Sequence, residues 1–367
     1  MDGPKKQLIG WLLEDSPRLK VVSVVGMGGM GKTTLVKKVY DDVEVKNHFR
    51  CHAWITVSQS FDLRELLKDL IRRLFNEANK PVPQELEPMD INNLKAEIKV
   101  FLQQRRYVLV LDDVWQIHAW DSFKYAFPDN NSGSRILLTT RIVGVASTSC
   151  VEFPDHIYTM KPLSQEESRT LFCRKTFQGN CCPPYLEEVS RRILEKCKGL
   201  PLAVVAISGV LATKDTSTSH EWELFHHSLG AQSEGHDKLE SMKKILSLSY
   251  YDLPFYLKIC FLYLGLFPED YKIERKRVIR LWIEEGFVEV RVGRTMEEVA
   301  EVYLNELINR SLVQVAEIDG VGRIRECRIH DHFREVITSK LREQNIAAMV
   351  SKESTTWPEK VRRLSIQ

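Results

Sequence analysis

Four glycines stand at positions 26, 28, 29 and 31, directly after the apolar run Val21-Val22-Ser23-Val24-Val25. The chain as a whole is glycine-poor, with 18 in 367 residues, about 5% against a usual ~7%. Glycine tolerates positive φ and close approach by other groups, so the cluster demands an unusual backbone at this point. The segment reads Gly26-Met27-Gly28-Gly29-Met30-Gly31-Lys32-Thr33. It lies between a buried-strand pattern and a helical one, Thr33 to Tyr40, which is the context a phosphate-binding loop needs. Glycines let backbone N–H groups converge on phosphate oxygens, and the following helix N-terminus favours negative charge. Lys32 is placed to reach the β- and γ-phosphates, and the Thr33 hydroxyl to ligate Mg²⁺.

Further strand patterns follow at Ala53 to Ser58, Tyr107 to Leu111 and Arg135 to Thr139. Helical spacing runs over Leu63 to Asn76 and about 91–104, with a polar loop from Glu77 to Asp90. Alternation of strand and helix predicts an α/β fold, a parallel sheet covered on both faces. The strand Tyr107 to Leu111 ends in Asp112-Asp113. An acid at that tip can hold Mg²⁺ opposite Thr33, and the second can orient or deprotonate water. A solvated Asp-Asp turn is the plainer alternative. Arg141 ends the strand that begins at Arg135; it could reach a γ-phosphate or be a surface arginine. These elements establish a P-loop nucleoside triphosphatase. No Asn-Lys-x-Asp motif for guanine occurs, since Asn79-Lys80 continues Pro81-Val82, so adenine is favoured.

The alternation stops near residue 155. Ser164 and Glu167 form a capping box before a helix carrying Leu171, Phe172 and Phe177. The pattern stays mostly helical to about residue 310, with loops at Gly179-Asn180, Thr213 to His220 and Leu229 to Asp237. Leu312 to Glu317 and Arg323 to Arg328 pair around Asp319-Gly320, as in a winged helix. The division expected is a P-loop domain at 1–158, a helical subdomain at 159–236 and a winged-helix subdomain at 237–367. The tail from Ser351 is polar, and disorder is expected there.

Formal charge is +2, which argues against a surface dedicated to coating nucleic acid. The basic run Lys272, Arg275, Lys276, Arg277 and Arg280 beside Trp282 reads first as a solvated helix face. None of the eight cysteines forms a C-x-x-C pair, so buried free thiols in a reducing compartment are expected. No signal peptide opens the chain, and the longest apolar stretch, Leu200 to Ala212, is shorter than the ~20 residues a membrane span requires. Cytoplasm or nucleus is the expected place.

The sequences Leu111-Asp112-Asp113-Val114-Trp115 and Gly133-Ser134-Arg135 through Arg141 resemble the NB-ARC module of plant nucleotide-binding leucine-rich-repeat immune receptors. Phe49 with Ala53 to Gln59, Gly199-Leu200-Pro201-Leu202-Ala203, Cys260 through Pro268, and Ile329-His330-Asp331 resemble further motifs of that family, in its order. Trp115 after Asp-Asp-Val resembles the coiled-coil class. The resemblance implies an ADP/ATP switch, closed with ADP and active with ATP, hydrolysing slowly or not at all. Gly26 to Thr34, including Gly28, Gly29, Met30, Gly31, Lys32 and Thr33, would bind phosphates. Thr33 and Asp112 would serve Mg²⁺, and Asp113 would assist hydrolysis. Arg141 would sense the γ-phosphate, Pro201 would pack near adenine, and His330 would contact the ADP β-phosphate.

Two positions depart from the family pattern. Ile329 replaces its Met, and His332 stands where an apolar residue is usual. His330-Asp331-His332 could instead be a metal site, with no further ligand evident nearby. The resemblance further implies an isolated switch module, its N-terminal coiled coil and C-terminal repeats lying outside this sequence, with oligomerisation possible on activation. The competing readings are a turnover Mg²⁺-dependent ATPase, and a nucleic-acid-binding ATPase acting through the winged helix.

Overall fold

The computed structural model describes residues 2–57, 59, 61–151, 156–230, 238–344, 347–350 and 363–366. The chain divides into two compact units, 1–161 and 162–367.

In the first unit the order is α1 (Asp2–Leu13), β1 (Lys20–Val25), α2 (Lys32–Tyr40), α3 (Val43–His48), β2 (Cys51–Thr56), α4 (Leu63–Glu77), α5 (Ile91–Leu102), β3 (Tyr107–Asp112), α6 (Ile117–Lys124), β4 (Arg135–Thr140), α7 (Val143–Ser149) and β5 (Ile157–Thr159). The strands make one parallel sheet in the order β2-β3-β4-β1-β5. Alternate residues of β3 face opposite ways: Tyr107, Leu109 and Leu111 pack with α4, α5 and α6, while Val108 and Val110 pack with α1 and α2. A strand covered on both faces carries apolar residues on both, which is why Tyr107 to Leu111 of β3 and Ile136 to Leu138 of β4 read as continuous runs. Asp42, Asp62 and Asp90 cap α3, α4 and α5 through their carboxylates.

The α1–β1 linker is pinned from the sheet. Arg135 is almost fully buried and donates to the carbonyls of Glu14 at 2.6 Å, Arg18 at 3.0 Å and Ser16 at 3.3 Å. It thereby satisfies backbone acceptors that burial would otherwise orphan. The proposed strand at Ala53 to Ser58 begins two residues earlier, and Ser58 lies outside the described residues. Helices α1, α3, α6 and α7 and the short edge strand β5 are additions to the expected pattern.

The second unit runs α8 (Gln165–Thr176), α9 (Pro184–Lys196), α10 (Pro201–Leu211), α11 (His220–Ser228), α12 (Lys238–Tyr251), α13 (Phe255–Leu264), β6 (Ile273–Glu274), α14 (Arg275–Glu284), α15 (Met296–Asn309), β7 (Val313–Ile318), β8 (Ile324–Ile329), α16 (Asp331–Glu343), β9 (Ala347–Val350) and β10 (Arg363–Ile366). The Ser164–Glu167 capping box is present at α8, and Thr295–Glu298 makes another at α15. Strands β6, β8 and β7 form an antiparallel sheet beside helices, a winged-helix arrangement.

The helical section and the winged-helix section pack as one body. A Cβ on Gly209 of α10 would lie 2.3 Å from the Arg310 carbonyl oxygen, so only glycine admits that approach. Asp252 accepts from Lys214 at 2.7 Å and from Arg310 at 3.2 Å across the same junction. All eight cysteines are free, and six are buried. Most of the loop expected at Leu229 to Asp237 and most of the tail from Ser351 lie outside the described residues. Within that tail, β10 pairs in parallel with β9.

Candidate nucleotide-binding site

The sheet order puts β4 between β3 and β1, so the ends of three neighbouring parallel strands meet at one edge. Open α/β sheets bind ligands outside these carboxyl ends. The glycine loop leaves β1 there. Gly29 and Gly31 take φ of 76° and 88°, and Gly31 is the N-cap of α2. Gly26 is required for a different reason, since a Cβ there would come within 2.7 Å of the Met160 Cβ. The loop is therefore shaped by both left-handed backbone and close packing. Lys32 is buried, and its Nζ donates to the carbonyls of Gly26 at 2.8 Å and Met27 at 3.2 Å. The ammonium is thus folded back onto the first two carbonyls of the loop.

Asp112, at the end of β3, is met by two hydroxyls. Thr33 Oγ1 donates to its Oδ1 at 3.0 Å and Thr139 Oγ1 at 2.6 Å. An octahedral Mg²⁺ with ligands at about 2.0–2.1 Å sets neighbouring oxygens roughly 2.9 Å apart, so the Thr33–Asp112 separation fits that ion. Hydroxyl and carboxylate oxygens are also the donor type Mg²⁺ takes. The glycine cradle, the ammonium and this oxygen pair together fit a magnesium nucleotide.

Asp113 has φ 59°, a left-handed conformation for a non-glycine residue. Such strain concentrates at functional sites. Its amide donates to Thr139 Oγ1 at 2.8 Å, and its carboxylate receives Trp115 Nε1 at 3.1 Å and Arg141 Nη2 at 3.2 Å. The Arg141 guanidinium also lies 4.3 Å from the centre of the Trp115 ring. The structure thus brings Lys32, Thr33, Asp112, Asp113 and Arg141 to one place, and Arg141 is engaged by Asp113 and Trp115. Thr139 and the Trp115 bridge are additions to the site residues expected from the sequence. The signal for Thr139 was available: a hydroxyl pair, Thr139-Thr140, interrupting an otherwise aliphatic buried strand.

Pro201 and His330 belong to the second unit. Pro201 is the first residue of α10, half-buried. The turn before it is fixed: Gly199 takes φ 70°, and Leu163 N donates to its carbonyl at 2.8 Å. His330 is the N-cap of α16, its Nδ1 accepting from His332 N at 3.3 Å. An accepting Nδ1 places the proton of the neutral ring on Nε2. The rings of His330 and His332 stack at 5.4 Å, and His332 is buried, as an apolar residue would be at that position. In the basic run, Arg275 pairs with Glu301, Lys272 lies 3.7 Å from Glu326, and Arg277 packs over Phe267 and Tyr271. Much of that charge is thereby neutralised or stacked.

Residues 1–182 match the family model for the NB-ARC domain, and residues 266–337 match that for the disease resistance protein winged helix domain. Disease resistance protein RPM1 of Arabidopsis thaliana is 38% identical over 92% of this chain and 37% of its own length. Disease resistance protein RPP13, also of Arabidopsis thaliana, is 35% identical over 89% of this chain and 38% of its own. The chain thus spans less than two fifths of these relatives. Among solved structures, a Signal Transduction ATPase with Numerous Domains protein with a tetratricopeptide repeat sensor from Pyrococcus horikoshii superposes with a TM-score of 0.55. It covers 93% of this chain and 43% of that protein at 18% identity, a likeness of fold alone. No helix among the described residues is long and apolar enough to cross a membrane.

Proposed function

The chain belongs to the NB-ARC family of plant disease-resistance proteins, and from that premise we propose that it is the ADP/ATP switch of an intracellular immune receptor. The observation that carries this reading is the Thr33–Asp112 pair beside the Lys32-bearing loop. In the proposed scheme the loop from Gly26 to Thr34 holds the phosphates, while Thr33 and Asp112 hold Mg²⁺. The ion, when bound, offsets phosphate charge. Pro201 packs near the base. The Nε2–H of His330 donates to the β-phosphate and stabilises the ADP state. Arg141 leaves Asp113 for the γ-phosphate in the ATP state.

Asp113 is the group available to orient water. Its present partners, Arg141 and Trp115, support a slow or absent hydrolysis. A turnover enzyme would work near 1 s⁻¹ or faster, so steady-state hydrolysis at that rate would favour the ATPase reading instead. The reading as a nucleic-acid-binding ATPase acting through the winged helix is weakened by the pairing of Arg275 and Lys272 with acids.

Calorimetric titration of ADP, with and without Mg²⁺, into parent and Lys32→Ala protein stripped of nucleotide and refolded tests the proposal. Lys32→Ala should lose roughly ten- to hundredfold in affinity, the worth of about 1.5–3 kcal/mol of charge-assisted hydrogen bonding. Equal affinity in the two proteins would remove the loop from the site.

A further inference from the structure

In the second unit, one face of α11 gathers Glu223, His226 and His227. The spacing i, i+3 and i+4 puts all three on adjoining positions of the helix surface. One ligand atom from each lies within 4.8 Å of the others. The two imidazoles meet edge to face at 5.7 Å between ring centres.

Two further observations point to a ligand. His227 Nδ1 lies 2.7 Å from the Glu223 carbonyl oxygen, an acceptor only, so Nδ1 carries the proton and Nε2 keeps its lone pair. Metal-binding histidines are held in this way, the second nitrogen donating to a backbone carbonyl or carboxylate. His226 is partly buried, and its Nδ1 is enclosed without a hydrogen-bond partner among the described residues. The charge balance is mixed. Arg192 of α9 donates to Glu223 Oε1, leaving the other carboxylate oxygen for a cation, while Arg192 and Lys196 both add positive field near His226. Against them, both histidines stand in the last turn of α11, where the helix dipole favours positive charge.

We propose that Glu223, His226 and His227 form a site for a divalent transition-metal ion of the zinc type, which shares no residue with the nucleotide site. Two imidazoles and one carboxylate suit Zn²⁺, Ni²⁺ or Cu²⁺ rather than the all-oxygen preference of Mg²⁺ or Ca²⁺. Three protein ligands leave at least one position open to water. Through the Glu223–Arg192 pair, the ion would also be tied to α9.

The test is a Co²⁺ titration of the full 367-residue chain, with ADP and excess Mg²⁺ present to fill the nucleotide site, read by the visible d–d bands. One equivalent should bind, without the near-ultraviolet band of thiolate ligation. His226→Asn and His227→Asn should each weaken binding by about tenfold or more, and Glu223→Gln should weaken it too. Metal-free melting temperature and far-ultraviolet dichroism should match the parent. Parent-like affinity in the histidine variants, or a thiolate band, would overturn the site. Should a substitution unfold the chain, Ni²⁺ added to the unsubstituted protein decides: the His226 and His227 ring C–H signals must broaden first, and their sparing would overturn it.

Discussion

Lys32, Thr33 and Asp112 act at the scale of single side chains. The loop and both carboxylates were legible in the sequence because their chemistry is contiguous: strand, glycines, Lys-Thr, and later strand, Asp-Asp. The Asp113–Arg141 pair was not, because its partners stand 28 positions apart and meet only when β3 and β4 pair. That pair makes a prediction. Arg141→Ala should cost ATP roughly 1.5–3 kcal/mol of binding while leaving ADP nearly unchanged, as competition titrations would measure. An equal loss for both nucleotides would contradict a γ-phosphate role. The thiols give a second prediction. Burial pushes the Cys51, Cys197, Cys260 and Cys327 thiols up to about 12, so they stay protonated and unreactive at neutral pH. Iodoacetamide on the native chain should therefore label exposed Cys181 and leave those four intact, as peptide mass mapping would show. Rapid labelling of Cys197 or Cys260 would mean that the second unit opens more readily than its packing implies.

At the scale of elements, long amphipathic helices such as α4 and the apolar strands β3 and β4 could be read from periodicity. Short ones could not. β5 has three residues and is only half-buried, and α7 (Val-Gly-Val-Ala-Ser-Thr-Ser) carries too few apolar positions to show a period. The N-terminal α1 buries only Leu8 and Leu12, and its seat depends on Arg135, more than a hundred residues away. The close contact of α10 with the turn after α15 is equally invisible in sequence, and it can be tested. Gly209→Ala should destabilise by about 1–3 kcal/mol through overpacking, seen as a lowered melting temperature. Gly320→Ala, with open space around it and no positive φ, serves as the control and should leave melting unchanged. Equal melting of the two variants would mean that α10 can shift away from Arg310 at little cost.

At the scale of the whole molecule, the sequence suggested three sections, and the described residues pack into two units. The helical and winged-helix sections are joined by the Gly209–Arg310 approach and the Asp252 bridges, contacts between residues 38 to about a hundred positions apart that no local pattern records. The proposed function is that of a two-state switch. Moving such a switch from 1:99 to 99:1 takes about 5.5 kcal/mol of differential affinity. The proposed histidine–phosphate bond would supply about 1.5–3 kcal/mol of this, so the scheme requires contacts beyond His330 for the rest. Accordingly, His330→Ala should speed ADP dissociation without abolishing binding; an unchanged rate by stopped-flow displacement would remove His330 from the mechanism. The most direct measurement is the nucleotide content of the purified chain, released by denaturation and quantified by chromatography. Close to one ADP per chain is expected, and markedly less in Lys32→Ala. Protein that folds and melts like the parent yet releases no adenine nucleotide would contradict the proposed switch.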